Sequence, residues 1–135
     1  MFFEGQPLYL TIFKKGEKTM EKKKIFISCP MNGATKEEID KRMEILHKLA
    51  ELHFGEELEV IDTWIEEEAP QNCKNTRVWY AGESIKRLSE ADYYVGIDVH
   101  SYEYEKYFGC CIEDIIVRMM DVPLRVFPKE IFIKD

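Results

Sequence analysis

The sequence predicts an α/β fold, in which a parallel sheet is covered by helices on both faces. Short apolar runs alternate with longer stretches in which apolar residues recur every three or four positions. This alternation is typical of a parallel sheet, because a crossover, usually a helix, returns the chain to the start of the next strand. The 135 residues suit one domain, and no internal repeat or linker divides them. Strands are predicted at 24–29, 58–62, 93–97 and 122–127.

The first strand is predicted at Lys24–Cys29, an apolar run that follows lysines and precedes a proline. Thr35 and Glu38 then form a capping-box pattern, in which both side chains accept hydrogen bonds from amides at a helix N-terminus. We expect this helix to continue to about His53, with Gly55 as its C-terminal cap. Its inward stripe is predicted at Ile39, Met43, Leu46, Ala50 and His53.

The middle of the chain predicts a second strand at Leu58–Asp62 and a second helix at Arg77–Glu90. Residues 63–76 form a loop or a short helix, and the Glu66–Glu68 run is interpreted as a solvated face. The buried stripe of the second helix is predicted at Val78, Ala81, Ile85 and Leu88.

A strand-to-helix turn late in the chain carries the most suggestive acid. The third strand, Tyr93–Ile97, ends at Asp98, and a loop rich in tyrosine and glutamate follows. We expect Gly109 to allow a tight turn and Glu113 to lie in the first turn of a helix over 110–120. The helix dipole favours a negative charge there. The inward residues of this helix are predicted to be Ile112, Ile115, Ile116 and Met119.

The turns after the first and third strands should lie side by side at the carboxyl edge of the sheet. Ligand sites of open parallel sheets occur where the strand order reverses, outside this edge. We therefore expect the loop Cys29–Gly33 to lie near Asp98 and Glu113.

The two ends of the chain leave alternatives open. Residues 131–133 follow the last predicted strand and are predicted to form either a short final strand or a tail that packs on a partner. Residues 1–23 are predicted to be an N-terminal extension that precedes a single domain over 24–135. Within it, Leu8–Phe13 has a strand pattern. Alternatively, Met20 is the natural start, because Lys15–Met20 is what a purine-rich ribosome-binding site and spacer would encode if translated.

Composition excludes several classes of protein. The formal net charge of −7 provides no basic face for a nucleic acid polymer. No apolar run is long enough to span a membrane. Four cysteines without a C-x-x-C pair predict neither a disulfide framework nor a zinc site. We expect a cytoplasmic protein that needs no metal and no cofactor.

The nucleophile candidates are Glu113, Cys110 and Cys111. No phosphate-binding glycine loop and no G-x-S-x-G elbow occurs. A thiol at a helix N-terminus can be acidified, but small buried cysteines are the better interpretation here. For Glu113 the alternatives are a carboxylate that attacks the anomeric carbon of a sugar and an acid that stabilises its own helix.

Two blocks of sequence resemble the nucleoside 2-deoxyribosyltransferase-like superfamily, in particular its small bacterial and phage members. Ile25–Gly33, IFISCPMNG, is similar to the opening strand and loop of that family, I-Y-I-S-G-P-M-x-G. Ala91–Ile97 and Gly109–Glu113 resemble its later strand and its G-x-x-x-E nucleophile turn. The resemblance covers residues 24–127. It implies a flavodoxin-like three-layer sandwich with four or five parallel strands in the order 2-1-3-4(-5).

The resemblance also implies a function and a set of site residues. Members transfer 2-deoxyribose between bases, or release the base to water, and are commonly homo-oligomers. The ligand would be a nucleoside or a nucleotide. Glu113 matches the nucleophile, and Asp98 is the candidate for assisting the base. The ligand-binding residues are expected to be Ser28, Cys29, Pro30, Met31, Asn32, Gly33, Gly109 and Cys110.

Three positions depart from the family pattern. Phe26 replaces a tyrosine whose hydroxyl helps to position the nucleophile, Cys29 replaces a glycine, and Tyr107 replaces an acid. Asp98, Glu103 or Glu105 would have to substitute for that acid. A further acid of the family, usual in the helix before the third strand, falls near Ser84, and Glu83 is the nearest carboxylate. Three hypotheses follow: an N-glycosidic bond enzyme, a catalytically weak or inactive binding protein for a nucleotide-like ligand, and an interaction module built on the tyrosine-rich loop.

Overall fold

Four parallel strands form the sheet in the part of the chain that the computed structural model describes, residues 21–99 and 103–132. The strands are β1 (Lys23–Ser28), β2 (Leu58–Val60), β3 (Tyr93–Asp98) and β4 (Leu124–Pro128). The three α-helices of these described ranges are α1 (Lys36–Phe54), α2 (Thr76–Leu88) and α3 (Phe108–Val117). The predicted α/β class is therefore confirmed.

The strand order is β2-β1-β3-β4, so β1 and β3 lie at the centre of the sheet. This order and the three helices are consistent with a flavodoxin-like three-layer sandwich. Ile25 pairs with Tyr93, and Ser28 pairs with Gly96. The carboxyl ends of β1 and β3 are therefore adjacent, as expected for the place where the strand order reverses.

Alternate residues of the central strands build two separate cores. One face contains Ile25, Ile27 and Val95, which pack with Leu46 and Ala50 of α1. The opposite face contains Phe26 and Tyr94, which pack in a cluster that includes Leu88 and Val117 from the ends of α2 and α3. Because side chains alternate along a strand, Ser28 lies on the same face as Phe26. It therefore points toward the side of α2 and α3.

Both predicted caps of α1 are confirmed. Thr35 accepts a hydrogen bond from the Glu38 amide at 3.1 Å, and the Glu38 carboxylate accepts one from the Thr35 amide at 2.9 Å. Gly55 ends the helix with φ of 78°, a conformation that favours glycine. Leu46 and Ala50 are buried as predicted, whereas His53 is exposed. At the C-terminal end of α1 the inward residue is Phe54 instead of His53, because Phe54 packs against the core and stacks on Tyr93.

Helix α3 begins earlier than predicted, and this changes the position of Glu113. The chain turns within residues 103–107, where the Tyr107 amide donates to the Glu103 carbonyl at 2.9 Å. Gly109 is then the second helical residue rather than the tight turn, and the positive-φ glycines of the described ranges are Gly33 and Gly55. Glu113 is the sixth residue of α3, so the prediction of a first-turn acid is wrong.

The end of the described chain is not a fifth strand at Ile131. A 3₁₀ turn over Lys129–Ile131 follows β4, and buried Lys129 donates to Glu103 at 2.8 Å. Residues 1–20 and 133, which belong to the predicted extension and to the alternative strand, lie outside the described ranges. Lys23, assigned to the extension, begins β1. In the two described ranges, every helix is too short or too polar to cross a bilayer.

Candidate functional site

A cavity of about 450 Å³ opens at the carboxyl edge of β1. Its wall comes from the end of β1 and the loop after it, the chain after β2, one face of α2, and the turn that leads into α3 together with the first residues of that helix. This volume lies within the range of small-molecule sites. The lining includes Phe26, Cys29, Arg77, Glu105, Lys106 and Glu113.

The Glu113 carboxylate lines this cavity and is held by two serine hydroxyls. Ser28, the last residue of β1, donates from Oγ to Glu113 Oε1 at 2.7 Å. Ser84, on the face of α2 that points toward α3, donates from Oγ to Glu113 Oε2. A donor from the sheet and a donor from a helix thus fix both oxygens of an acid on a third element. This arrangement sets the orientation of the carboxylate toward the cavity.

A tyrosine on β3 packs on the face of the sheet that carries Phe26. The Tyr94 ring stacks on Phe26 with a centroid separation of 6.0 Å and an interplanar angle of 5°. The ring lies over Gly96, where an added Cβ would be 3.3 Å from the Tyr94 hydroxyl and 3.4 Å from Ser28 Cβ. Glycine at 96 therefore leaves the space that this tyrosine occupies.

Burial raises the pKa of the Glu113 carboxyl above its ordinary value of 4.5, and the hydrogen bonds from Ser84 and Ser28 oppose that rise. The desolvation cost of the charge exceeds the stabilisation by the two hydroxyls. The charged form of Glu113 is thus stabilised by its serine donors. The helix dipole that the sequence suggested is not the cause, because Glu113 lies beyond the first turn of α3.

The raised pKa of Glu113 predicts a pH-dependent stability difference. A carboxyl with a raised folded-state pKa contributes stability below its unfolded pKa, and this contribution is lost as pH rises through the folded pKa. We therefore expect the stability of Glu113→Gln relative to the wild type to increase as the pH rises above the ordinary carboxyl pKa of 4.5. Urea unfolding of both proteins across this range measures the difference. A difference that is constant or decreases with pH contradicts the prediction.

The cysteines of the cavity wall are poor nucleophiles. Burial raises the pKa of the Cys29 thiol to about 11, although Arg42 opposes the rise. Burial also raises the pKa of Cys110 well above its ordinary value. Both thiols are protonated at neutral pH, and a thiol reacts as its thiolate. The interpretation of Cys110 and Cys111 as small buried residues is confirmed.

The rim of the cavity carries two cations on exposed residues, Arg77 and Lys106. Arg77 lies 4.5 Å above the Phe108 ring, and its Nη2 donates to the Tyr104 and Glu105 carbonyls at 3.2 Å. Asn32 donates to the Lys106 carbonyl at 2.9 Å, which joins the loop after β1 to the turn before α3. The rim is therefore braced by contacts between separate loops.

Most of the site residues predicted from the sequence lie together. Glu113 and six of the eight predicted ligand-binding residues line the cavity: Cys29, Pro30, Met31, Asn32, Gly109 and Cys110. Ser28 lies behind Glu113 as its hydrogen-bond donor. Gly33 is exposed and is not part of the wall.

Asp98 is not part of this site. It is exposed at the end of β3 and does not line the cavity. Its charge contributes to the raised pKa of Arg118, which is caused mainly by the hydrogen bond and ion pair with Asp114. Asp98 lies at the predicted edge of the sheet, but its side chain does not line the cavity. Among the described residues that line the cavity, the acids are Glu113 and Glu105.

The role of Ser84 as a hydrogen-bond donor to Glu113 was not predicted from the sequence. Arg77, Tyr80 and Ser84 recur at helical spacing and all line the cavity, so a polar face on α2 was the available signal.

The strand order and the site define an α/β protein of flavodoxin-like topology with a hydroxyl-held carboxylate in a cavity at the carboxyl edge of its sheet. No family model, curated protein or solved structure matches this chain.

Proposed function

We propose that the protein cleaves the N-glycosidic bond of a deoxynucleoside or its monophosphate, with Glu113 as the nucleophile. The observation that carries this proposal is the Glu113 carboxylate, which faces the cavity while Ser28 and Ser84 hold its two oxygens. Each carboxylate oxygen has two lone pairs, so one hydrogen bond leaves a pair for attack. A fixed orientation favours a reaction at one carbon of a bound sugar.

The reaction takes two steps. A Glu113 oxygen forms a bond to C1′ of the sugar as the bond from C1′ to the base nitrogen breaks, and the electron pair leaves with the base. Glu105 or a water molecule supplies the proton that neutralises the base. Water, or a second base in a transfer reaction, then attacks C1′. The ester bond breaks, its electron pair returns to Glu113, and the attacking group loses its proton.

Aromatic side chains support a planar base as part of the ligand. Phe26, Tyr80 and Phe108 line the cavity around Glu113. Aromatic walls provide apolar contact area and stacking surfaces for a base.

A binding protein without turnover is the second candidate, and the same carboxylate provides its support. Both Glu113 oxygens are satisfied by protein hydroxyls, and burial raises the pKa of this acid. A carboxylate whose two oxygens already accept hydrogen bonds is a weaker nucleophile than a free carboxylate. Such a site would hold its ligand without breaking it.

Incubation with a panel of deoxynucleosides and their 5′-monophosphates separates the two candidates. Free base detected by chromatography, and lost in Glu113→Gln, supports the enzyme. Thermal stabilisation by a panel member without release of base supports the binding protein. If no panel member releases base and none stabilises the protein, both proposals are contradicted and the interaction module is favoured.

The rim cations predict a preference for the monophosphate. Arg77 and Lys106 can pair with a phosphate, and a charge-assisted contact is stronger than a neutral one. We expect Arg77→Gln to raise the Kd or KM for the 5′-monophosphate by about tenfold, with little change for the nucleoside. Titration calorimetry or initial rates for the two ligands measure this difference.

Arg87→Gln is the matched control. Arg87 lies ten residues further along α2, where its Nη1 donates to the Glu83 carbonyl at 3.0 Å, and it does not line the cavity. If Arg77→Gln weakens the binding of the nucleoside and of the monophosphate equally, Arg77 stabilises the rim of the cavity and does not bind a phosphate.

The homo-oligomer stays a prediction. Apolar side chains on two neighbouring helices, Val78 on α2 and Ile115 on α3, are more than half exposed at 59% and 52%. A second copy of the chain would cover such residues, which supports including an oligomer in the proposal.

A further inference from the structure

A largely buried ion pair joins the segment after β4 to the turn that leads into α3. Lys129, in the 3₁₀ turn that follows β4, donates from Nζ to Glu103 Oε2 at 2.8 Å. The two side chains are only 8% and 16% exposed. Because burial removes water from both charges, such a pair adds little net stability compared with apolar side chains. What it does supply is a specific contact between two segments that are distant along the chain.

The acid of this pair begins the turn over residues 103–107, which we call the wall turn. The Glu103 carbonyl accepts hydrogen bonds from the Lys106 amide at 3.0 Å and from the Tyr107 amide at 2.9 Å. The last three residues of the wall turn line the cavity. Glu103 therefore contacts Lys129 through its side chain and holds the cavity wall through its backbone.

The segment after β4 also packs against the same wall through an aromatic residue. Phe132 closes the 3₁₀ turn, where its amide donates to the Lys129 carbonyl at 2.9 Å. Phe132 packs on a small buried cluster that contains Tyr107 and Cys110. Both of these cluster residues also line the cavity. A buried cation and an aromatic side chain from one short segment thus contact the wall turn and the start of α3.

Two further contacts reach the wall turn from other elements, but both come from exposed residues. Asn32, in the loop after β1, donates to one carbonyl of the turn, and Arg77, on α2, donates to two others. A polar contact that is shielded from water is electrostatically stronger than one that competes with solvent. The contact with Lys129 is therefore the firmest of the three.

The Glu113 carboxylate is held by a different set of contacts. Its two oxygens accept from Ser28 on β1 and from Ser84 on α2, and neither serine belongs to the wall turn. A displacement of the wall turn thus changes the surface that a ligand meets, while both donors to the carboxylate stay in place. Ligand binding and the position of the candidate nucleophile therefore depend on separate parts of the structure.

We propose that Lys129 is a positioning residue, which acts through Glu103 to fix the wall turn and thereby the side of the cavity that carries Lys106. The effect on the wall turn exists whether or not the protein turns over a substrate. Its consequence for ligand affinity rests on the proposed function, in which Lys106 pairs with the phosphate of a monophosphate.

The test is amide hydrogen exchange, measured by NMR in the double variant Lys129→Met/Glu103→Gln. Both charges are removed together, since removal of one would leave the other buried without this partner, and neutral replacements of similar shape preserve stability. We expect the Lys106 and Tyr107 amides to exchange about tenfold faster, because their common acceptor is no longer held in place. The most protected amides of β1 and β3, which report global unfolding, should keep their rates.

Lys36→Met/Asp40→Asn is the matched control. This pair on α1 has the same N–O distance of 2.8 Å, but its side chains are 85% and 64% exposed and neither residue lines the cavity. The control should leave the exchange of the wall-turn amides unchanged. If these amides keep their wild-type rates in Lys129→Met/Glu103→Gln, or accelerate equally in the control, the proposal is overturned. If the double variant does not fold, the same comparison in Lys129→Met decides, with rates taken relative to the β1 and β3 amides.

Ligand measurements then connect the wall turn to function. In Lys129→Met/Glu103→Gln we expect the KM for the 5′-monophosphate to rise about fivefold, while kcat stays within about twofold of the wild type. Faster exchange of the wall-turn amides, with no base release and no ligand binding in any of these proteins, would retain the role of Lys129 and reject the proposed function. Base release with wild-type KM and wild-type exchange would retain the enzyme and reject the role of Lys129.

Discussion

Glu113→Gln should lower the rate of base release by about a thousand-fold or more, because it removes the nucleophile and little else. Glutamine keeps the shape of the side chain. Its amide oxygen can accept from Ser28 and its amide nitrogen can donate to Ser84, so both contacts of the carboxylate have a replacement. The measurement is initial release of base from the best substrate of the panel, with folding checked by circular dichroism.

Asp114→Asn is the matched control for this variant. Asp114 is the next residue of α3 and pairs with Arg118 at 3.0 Å instead of facing the cavity. An i,i+4 ion pair of this kind contributes about 0.3–0.5 kcal/mol, so the fold should tolerate its loss. We expect Asp114→Asn to retain the wild-type rate. If Glu113→Gln keeps more than about a tenth of that rate, Glu113 is not the nucleophile.

Leu46→Ala should produce the largest loss of stability, about 2–5 kcal/mol in the free energy of unfolding. Leu46 is fully buried in α1 and packs in one core with Ile25, Ile27 and Val95. Removal of its side chain loses apolar burial and leaves a cavity between the helix and the sheet. Urea unfolding at neutral pH measures the change.

Leu52→Ala makes the same substitution six residues later in the same helix, where the leucine is 80% exposed. Its effect should remain within about 0.5 kcal/mol. Similar losses at both positions would mean that helix propensity, rather than core packing, dominates the stability of α1.

The sequence was sufficient for the local structure of α1, because each signal there depends on neighbouring residues. A capping box needs only Thr35 and Glu38, and a left-handed cap needs only Gly55. The stripe on α3 was less well predicted. Ile115 and Met119 were expected inward but are 52% and 78% exposed, while Val117 is buried. The start of α3 was misplaced because a glycine is a frequent sign of a turn, whereas here the chain turns before Tyr107.

The candidate site, too, could be predicted only in part from the sequence. Alternation of strands and helices was enough to place Glu113 and the loop after β1 at one edge of the sheet, because parallel strands all end there. It was not enough to distinguish Glu113, which lines the cavity, from Asp98, which does not. That distinction depends on packing between elements that are distant along the chain.

The sequence by itself thus determined the α/β class, the caps of α1 and the acid at the carboxyl edge of the sheet, because periodicity and capping are properties of consecutive residues. Only the tertiary structure decided how that acid is held. Ser28 and Ser84 are distant from Glu113 along the chain, and they meet it because α2 and α3 pack on the face of the sheet that carries Phe26 and Ser28. The ionisation of Glu113 depends on its partial burial and on these hydroxyl groups, and neither is encoded in its immediate neighbours.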